Sequence, residues 1–241
     1  PADCFNMVFE ACRIALEHMI PVMFLSDGYL ANGSEPWKFP QTRDLKDIDV
    51  TFEPARTDGE GEKFLPYVRD ERFVRSWSIP GTKGLEHRVG GLEKEEETGD
   101  VSYDPENHER MVKQREAKRD KIAEYIPLQE IDNGVENGET VVLGWGSTYG
   151  SIRTAVHELR IEGMDVSHIH LQYIAPFPRN LGTLLNGYEY VLVPEINNGQ
   201  LVRLIRAEFQ IKATGINKIK GRPFGVKELK SEIRDAVGVK A

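Results

Sequence analysis

The residues arranged for chemistry in this sequence fall in loops and at strand ends. Glu86, His87 and Arg88 set an acid, a titratable ring and a base side by side within Gly84-Leu-Glu-His-Arg-Val-Gly-Gly91. An imidazole changes charge near neutral pH, and loops carry such groups to ligands more often than helix faces do. The same three residues also serve as structural hydrogen-bonding groups, and composition leaves both readings open. His168 and His170 stand two residues apart, so on a strand both point to one face. Their spacing supplies no third metal ligand, and they read as an ordinary pair on a partly polar sheet face.

Two glycine-bearing turns stand out next. Gly144-Trp-Gly-Ser-Thr-Tyr-Gly150 comes close to a dinucleotide fingerprint, but its third glycine falls one residue late. Asp165 also precedes the following strand, where the fingerprint needs an acid at the strand's end. The segment reads as a tight strand-to-helix turn with Ser147 or Thr148 as cap, rich enough in amides to receive an anion. Pro194-Glu-Ile-Asn-Asn-Gly-Gln200 occupies the equivalent place after a later strand. Asn197 or Asn198 caps the next helix there. Asn197, Gly199 and Gln200 also stand where α/β folds keep ligands or partners.

Cys4 and Cys12 are eight residues apart in an expected helix. Their Cα atoms would lie roughly 12 Å apart, too far for a disulfide. Two thiols also fall short of the four ligands of an iron–sulfur cluster, so any cluster is expected on another chain. No nucleophile elbow, phosphate-binding P-loop or C-x-x-C pair is present.

The elements that must position these residues follow from the patterning. Residues 3–19 read as an amphipathic helix capped by Asp3, with Cys4, Met7, Val8, Ala11, Cys12, Ala15 and Met19 on one face. Residues 22–25 read as a buried strand, the last αβ unit of a domain lying upstream. Prolines and glycines then break the chain repeatedly, and residues 37–137 read as a long irregular arm. Its one helix is expected at 106–125, with Asp104 as cap and a narrow stripe of Met111, Val112, Ile122 and Tyr125. The acidic run Glu93–Glu97 reads as a solvated loop. From 138 to 241 strands alternate with helices. Strands fall at 140–145, 164–171, 190–194 and 215–220, and helices at 147–162, 179–185, 200–211 and 226–237. That alternation implies a three-layer α/β domain with a mainly parallel sheet.

Composition bounds the function. A net charge of −8 over 241 residues argues against a general nucleic-acid binder. No apolar stretch reaches the ~20 residues of a membrane helix. Pro1 leads straight into a helical pattern, so the true N-terminus is expected upstream, with a removed signal peptide as the rival explanation; nothing else in the sequence looks secreted, and a cytoplasmic location is expected.

The wording of several segments resembles a known family. Pro21-Val-Met-Phe-Leu-Ser-Asp-Gly-Tyr-Leu-Ala-Asn-Gly33 with Glu35-Pro-Trp37 looks like the end of the thiamine pyrimidine-binding domain in alpha subunits of 2-oxoacid:ferredoxin oxidoreductases. Ile79-Pro-Gly-Thr82, Gly84-Leu-Glu-His87 and Gly99–Arg110 resemble the arm that follows. Leu143–Gly150, Pro194–Leu201 and Lys220–Phe224 resemble the transketolase C-terminal-like domain. The resemblance runs in order over nearly the whole chain and leans toward the 2-oxoglutarate branch. It implies boundaries at 1–36, 37–137 and 138–241. It further implies oxidative decarboxylation of a 2-oxoacid with thiamine diphosphate and Mg, coenzyme A as acyl acceptor and ferredoxin as electron acceptor.

In that family the thiamine-activating Glu and the substrate-binding Arg belong to residues that would precede Pro1. The beta subunit holds the diphosphate, its metal and the iron–sulfur cluster. No catalytic residue is therefore expected here, nor any cofactor bound to this chain alone. The resemblance leaves it docking, homo-oligomerisation and shaping of the approach to the site. Glu86, His87 and Arg88 become the candidates for substrate or coenzyme A. Asp27 and Tyr29 stand near the pyrimidine domain's edge. Two alternatives remain: the beta chain of an NAD-linked 2-oxoacid dehydrogenase, and a non-catalytic module that binds coenzyme A or a protein.

Overall fold

A computed structural model describes residues 1–56 and 63–238. Its contacts group into two units, one of Pro1, Leu25–Glu35 and Ile126–Ala241, the other of Ala2–Phe24 and Pro36–Tyr125. In chain order the elements are α1 (Ala2–Glu17), α2 (Gly28–Ala31), α3 (Pro105–Lys121), β1 (Thr140–Trp145), α4 (Tyr149–Ile161), β2 (Val166–Leu171), α5 (Leu181–Asn186), β3 (Tyr190–Glu195), α6 (Gln200–Phe209), β4 (Ala213–Asn217) and α7 (Val226–Ala236).

In the first unit the four strands pair in parallel in the order β2-β1-β3-β4. Side chains alternate across the sheet, so each strand must feed two cores. Val142, Val166, Leu192 and Ile216 face Ile152, Val156 and Leu159 of α4 and Leu229 and Ile233 of α7. Val141, Leu143, Ile169 and Val193 face Leu181 and Leu185 of α5 and Leu201 and Ile205 of α6. Helices therefore cover both faces, as the alternation requires. Each of these buried side chains contributes about 1.5–3 kcal/mol of transfer free energy. The last strand ends earlier than its composition indicates. Register with β3 stops at Glu195↔Asn217; the Lys218 amide still donates to the Glu195 carbonyl, and its Nζ binds Glu228 and the Pro223 carbonyl.

Residues 22–25 form no strand, contrary to expectation, and Met23 is 82% exposed. A strand exists by pairing its backbone, and no described strand runs beside this one. The segment instead leads to α2, where the Asp27 carboxylate accepts the amides of Tyr29 and Leu30.

The second unit is less regular. On α1 the buried side chains are Ile14 and its C-terminal neighbour His18, while Val8 and Cys12 of the expected face are exposed. Asp104 caps α3 by accepting the amides of Glu106 and Asn107. Met111 and Ile122 are buried, but Val112 and Tyr125 of the expected stripe are exposed. The acidic run is not a solvated loop. Glu93 binds His108 and Arg115, Glu96 binds Arg110 and Gln114, and Glu95 accepts the amides of Glu97 and Thr98. Asn107, buried, donates to the Lys94 carbonyl and accepts the Glu96 amide. The run thus lies along α3, whose basic residues face it at helical spacing.

The Arg115 hydrogen bond holds the Glu93 carboxyl down at about 2, against an ordinary 4.5. A depressed carboxyl stabilises the fold above its unfolded value and loses that contribution as pH falls toward its folded value. Glu93→Gln should lower stability at pH 7 by about 0.5–1 kcal/mol, the scale of surface ion pairs. Urea unfolding of both proteins at pH 7 and pH 3 measures it. The gap should narrow at pH 3, and an equal gap at both pH values would refute the ionic attachment.

Candidate functional site at the carboxyl edge of the sheet

The chain leaves β1 through α4 to β2 on one side, then places β3 on the other side of β1. Connections diverge at the carboxyl ends of β1 and β3, the position where open parallel sheets form a crevice. Both glycine-bearing turns of the sequence lie there.

At the end of β3, Glu195 is fully buried. Its Oε1 accepts the Leu201 amide at 2.8 Å and its Oε2 the Val202 amide at 3.1 Å. Asn197 donates to Glu195 Oε1 and accepts the amides of Gly199 and Gln200 through Oδ1. All four amides at the start of α6 are thereby taken, with a carboxylate against the positive end of the helix dipole. Gly199 has φ +78, and a Cβ there would lie 2.8 Å from Asn217, so only glycine fits. Asn197 and Gly199 are thus committed to building the turn, and Gln200 is exposed beside it.

At the end of β1 the three glycines have different jobs. Gly144 lies within the strand, and a Cβ there would strike Ile152 Cδ1 at 2.6 Å. Gly146, at φ +57, opens the turn. Gly150 already belongs to α4. Thr148 rather than Ser147 braces the turn, its hydroxyl donating to the Trp145 carbonyl at 2.7 Å. This is the tight-turn reading.

A polar cluster that the sequence reading did not assemble lies at the β2 edge. Asp132 accepts a hydrogen bond from Tyr149 Oη at 2.8 Å and pairs with His168 Nδ1 at 3.0 Å. Arg153 Nε stands 3.6 Å from the same carboxylate. The Asp132 amide donates to the His168 carbonyl, and the His168 amide donates to Asn133, so residues 132–133 run antiparallel along β2. His168 and His170 share a face, as expected, but that face is interior: His168 is fully buried and Tyr149 packs against both rings.

Burial opposes ionisation of Asp132, but the bonds from Tyr149 and His168 and the charge of Arg153 keep its carboxyl below the usual range. Burial also depresses both histidines, and His170 falls to about 4, with His168 adding to the effect. Both rings are neutral at pH 7, with His168 Nδ1–H donating to Asp132. An Asp–His pair of this kind can orient a base, yet His168 Nε2 is buried with no hydrogen-bond partner among the described residues. The cluster therefore locks residues 129–135 and α4 onto β2, and does not present a reacting group to solvent.

The remaining candidates belong to other segments of the chain. Asp27 is spent as the cap of α2, and Tyr29 is exposed. Glu86 and Arg88 are exposed, while half-buried His87 bonds through Nδ1 to the Leu85 carbonyl at 2.8 Å and packs edge-on against Phe64. Sequence reasoning missed Glu195 and Asp132. An acid closing the apolar strand Val191-Leu-Val-Pro-Glu195 was a readable signal. Asp132 gave none, because its partner is 36 residues away.

A group whose folded pKa lies below its unfolded value favours the fold above the unfolded value and weakens it as pH falls. Stability of the folded chain should therefore decline between pH 6.5 and about 4, the interval over which His170 shifts. His170→Gln should flatten that decline while keeping the helical content at pH 7. Thermal melts every half unit of pH measure both, and an unaltered slope in the variant would rule out these histidines as the source.

Comparison with known proteins agrees with the resemblance seen in the sequence. Residues 1–106 match the family model described as pyruvate flavodoxin/ferredoxin oxidoreductase, thiamine diphosphate-binding. Residues 138–229 match pyruvate:ferredoxin oxidoreductase core domain II. The chain is 45% identical to the 2-oxoglutarate oxidoreductase subunit KorA of Mycobacterium tuberculosis, over 98% of this chain and 35% of that one. It is 32% identical to the 2-oxoacid:ferredoxin oxidoreductase subunit alpha of Saccharolobus solfataricus, over 98% of this chain and 37% of that one. The solved 2-oxoglutarate:ferredoxin oxidoreductase from Magnetococcus marinus, with 2-oxoglutarate, coenzyme A and succinyl-CoA bound, superposes with a TM-score of 0.87 at 29% identity, over 98% of this chain and 40% of that one. The chain thus spans little more than a third of the length of these curated relatives. These matches favour neither the NAD-linked dehydrogenase nor the non-catalytic module. A fully parallel sheet covered on both faces, two family models matched in tandem and relatives aligned over nearly every residue place this chain in the family of 2-oxoacid:ferredoxin oxidoreductase alpha subunits.

Proposed function

We propose that the complete protein containing this chain oxidatively decarboxylates a 2-oxoacid, 2-oxoglutarate foremost, transferring the acyl group to coenzyme A and two electrons to ferredoxin. The observation that carries this reading is the 45% identity to the mycobacterial 2-oxoglutarate oxidoreductase subunit over 98% of the chain. Thiamine diphosphate would supply the electron sink for loss of CO₂. Among the described residues no three His, Cys, Asp or Glu side chains gather as metal ligands. The amides at the start of α6 are also already engaged. We therefore assign the diphosphate and its Mg to a beta subunit. The iron–sulfur cluster goes there too, because the two cysteines here fall short of four ligands.

This chain's own work in that scheme is docking and homo-oligomeric assembly, within a cytoplasmic complex. No described helix is long and apolar enough to cross a membrane. Residues 1–36 would close the pyrimidine-binding domain, 37–137 form the connecting arm and 138–241 the transketolase C-terminal-like domain. Asp27 and Tyr29, and Gln200 with the turn that Asn197 and Gly199 build, face other parts of the assembly. Glu86, His87 and Arg88 approach substrate or coenzyme A. His87 Nδ1 donates to the Leu85 carbonyl, so Nε2 is the ring nitrogen directed to this role.

Turnover of the complete complex with pyruvate, 2-oxoglutarate and branched 2-oxoacids tests the substrate, and a higher kcat/KM for any other acid would overturn it. His87→Gln keeps polarity and approximate size but loses titration. In the complete complex it should reduce coenzyme A-dependent turnover about 10²-fold, the range of a positioned acid–base group, with Tm nearly unchanged. A lower Tm with intact turnover would reassign His87 to bracing the arm.

A further inference from the structure

The second unit holds one charged group that its described surroundings do not satisfy. Lys94 is only 4% exposed, and its Nζ is buried with no hydrogen-bond partner among the described residues. Burial of an ammonium without an anion is costly, so such a group is normally paired. The acids beside it in sequence are committed elsewhere: Glu93 to His108 and Arg115, Glu95 to backbone amides, Glu96 to Arg110 and Gln114. Its backbone is held in place, because the Lys94 carbonyl accepts from buried Asn107 and Lys94 bridges Val101.

Lys94 lines an open groove with Arg88, Gly90, Leu92, Val101 and Tyr103. Nζ lies 3.4 Å from where a Cβ on Gly90 would stand, so the absence of that side chain leaves room beside the ammonium. Beside exposed Arg88 the rim is apolar and in water: Tyr103 is 88% exposed and Leu92 is also exposed. A cation at the bottom of an exposed apolar rim is complementary to a carboxylate set among apolar side chains. A small anion would satisfy Lys94 but leave Leu92 and Tyr103 solvated, whereas a polypeptide would cover both.

We propose that this groove is a docking site for a partner subunit, entered by an aspartate or glutamate of that subunit flanked by apolar residues, with Lys94 as its counter-ion. The flexible stem of lysine lets Nζ reach the incoming carboxylate. The proposal rests on the reading of this chain as part of a multi-subunit enzyme, but its test measures association and needs no turnover. A buried cation unpaired among the described residues also discriminates among partners, since a basic segment would be repelled here.

Lys94→Met keeps the length and apolar stem and removes the charge; Lys94→Glu reverses it. In the complete subunit, association with the partner subunit, measured by sedimentation velocity or biolayer interferometry, should weaken on the order of 10²-fold for Lys94→Met and further for Lys94→Glu. The Tm of the complete subunit alone should stay level or rise in Lys94→Met, because an unpaired buried charge is removed. Association unchanged in both variants would overturn the proposal. So would a fall in the lone subunit's Tm, which would reveal an internal counter-ion. Calorimetric titration with inorganic phosphate that saturates the wild type but not Lys94→Met, with association intact, would assign the groove to a small anion instead. Loss of self-association alone would put a second copy in it and overturn the choice of occupant.

Discussion

The central strands β1 and β3 must be apolar on both sides, because helices cover both faces, and the placement of polar groups follows from that constraint. Val141 and Val142 are adjacent and both fully buried, one in each core. A polar side chain survives in such a sheet only at a strand's end or at an edge. Glu195 takes the first option at the end of β3 and Asp132 with His168 the second at the edge of β2. Both are satisfied by neighbours that the fold brings into register, two helix amides in one case and an imidazole in the other.

These two polar devices fix different things. Glu195 joins the strand to the helix that follows it, so the β3–α6 turn is built from the carboxylate outward and Asn197 completes it. That arrangement uses the donors a ligand would need, which explains why a turn at the proper place for binding is occupied with its own construction. Asp132 draws a long-range segment along the edge strand and covers it. A parallel edge strand left open would offer unpaired amides and carbonyls to other chains.

The arm obeys another economy. It has few apolar residues to bury, and its described secondary structure consists of α3, short helical turns and isolated bridges. Ionic contacts between residues 93–96 and the basic residues of α3 do much of the attachment, with Met111 and Ile122 as small apolar anchors. Attachments of this kind are individually weak. An arm so held leaves apolar side chains in water and a buried cation unpaired among the described residues, features that fit a life inside a larger assembly of the kind its relatives' subunit names describe.

The alternation of periods two and 3.6 determined by itself that the elements from Thr140 to Ala236 form a layered α/β fold, because each element's buried faces are written in its own residues. The caps at Asp104 and Asn197 were legible for the same reason, being local. The expected strand at 22–25 failed because pairing is a property of neighbours. The acidic run 93–97 was misread because its basic partners lie on α3, over ten residues away in sequence. Asp132 and His168, and the isolation of Lys94, belong wholly to the tertiary structure. Whether a buried charge is satisfied depends on which distant groups the fold brings within about 3 Å, and spacing along one chain carries no record of that.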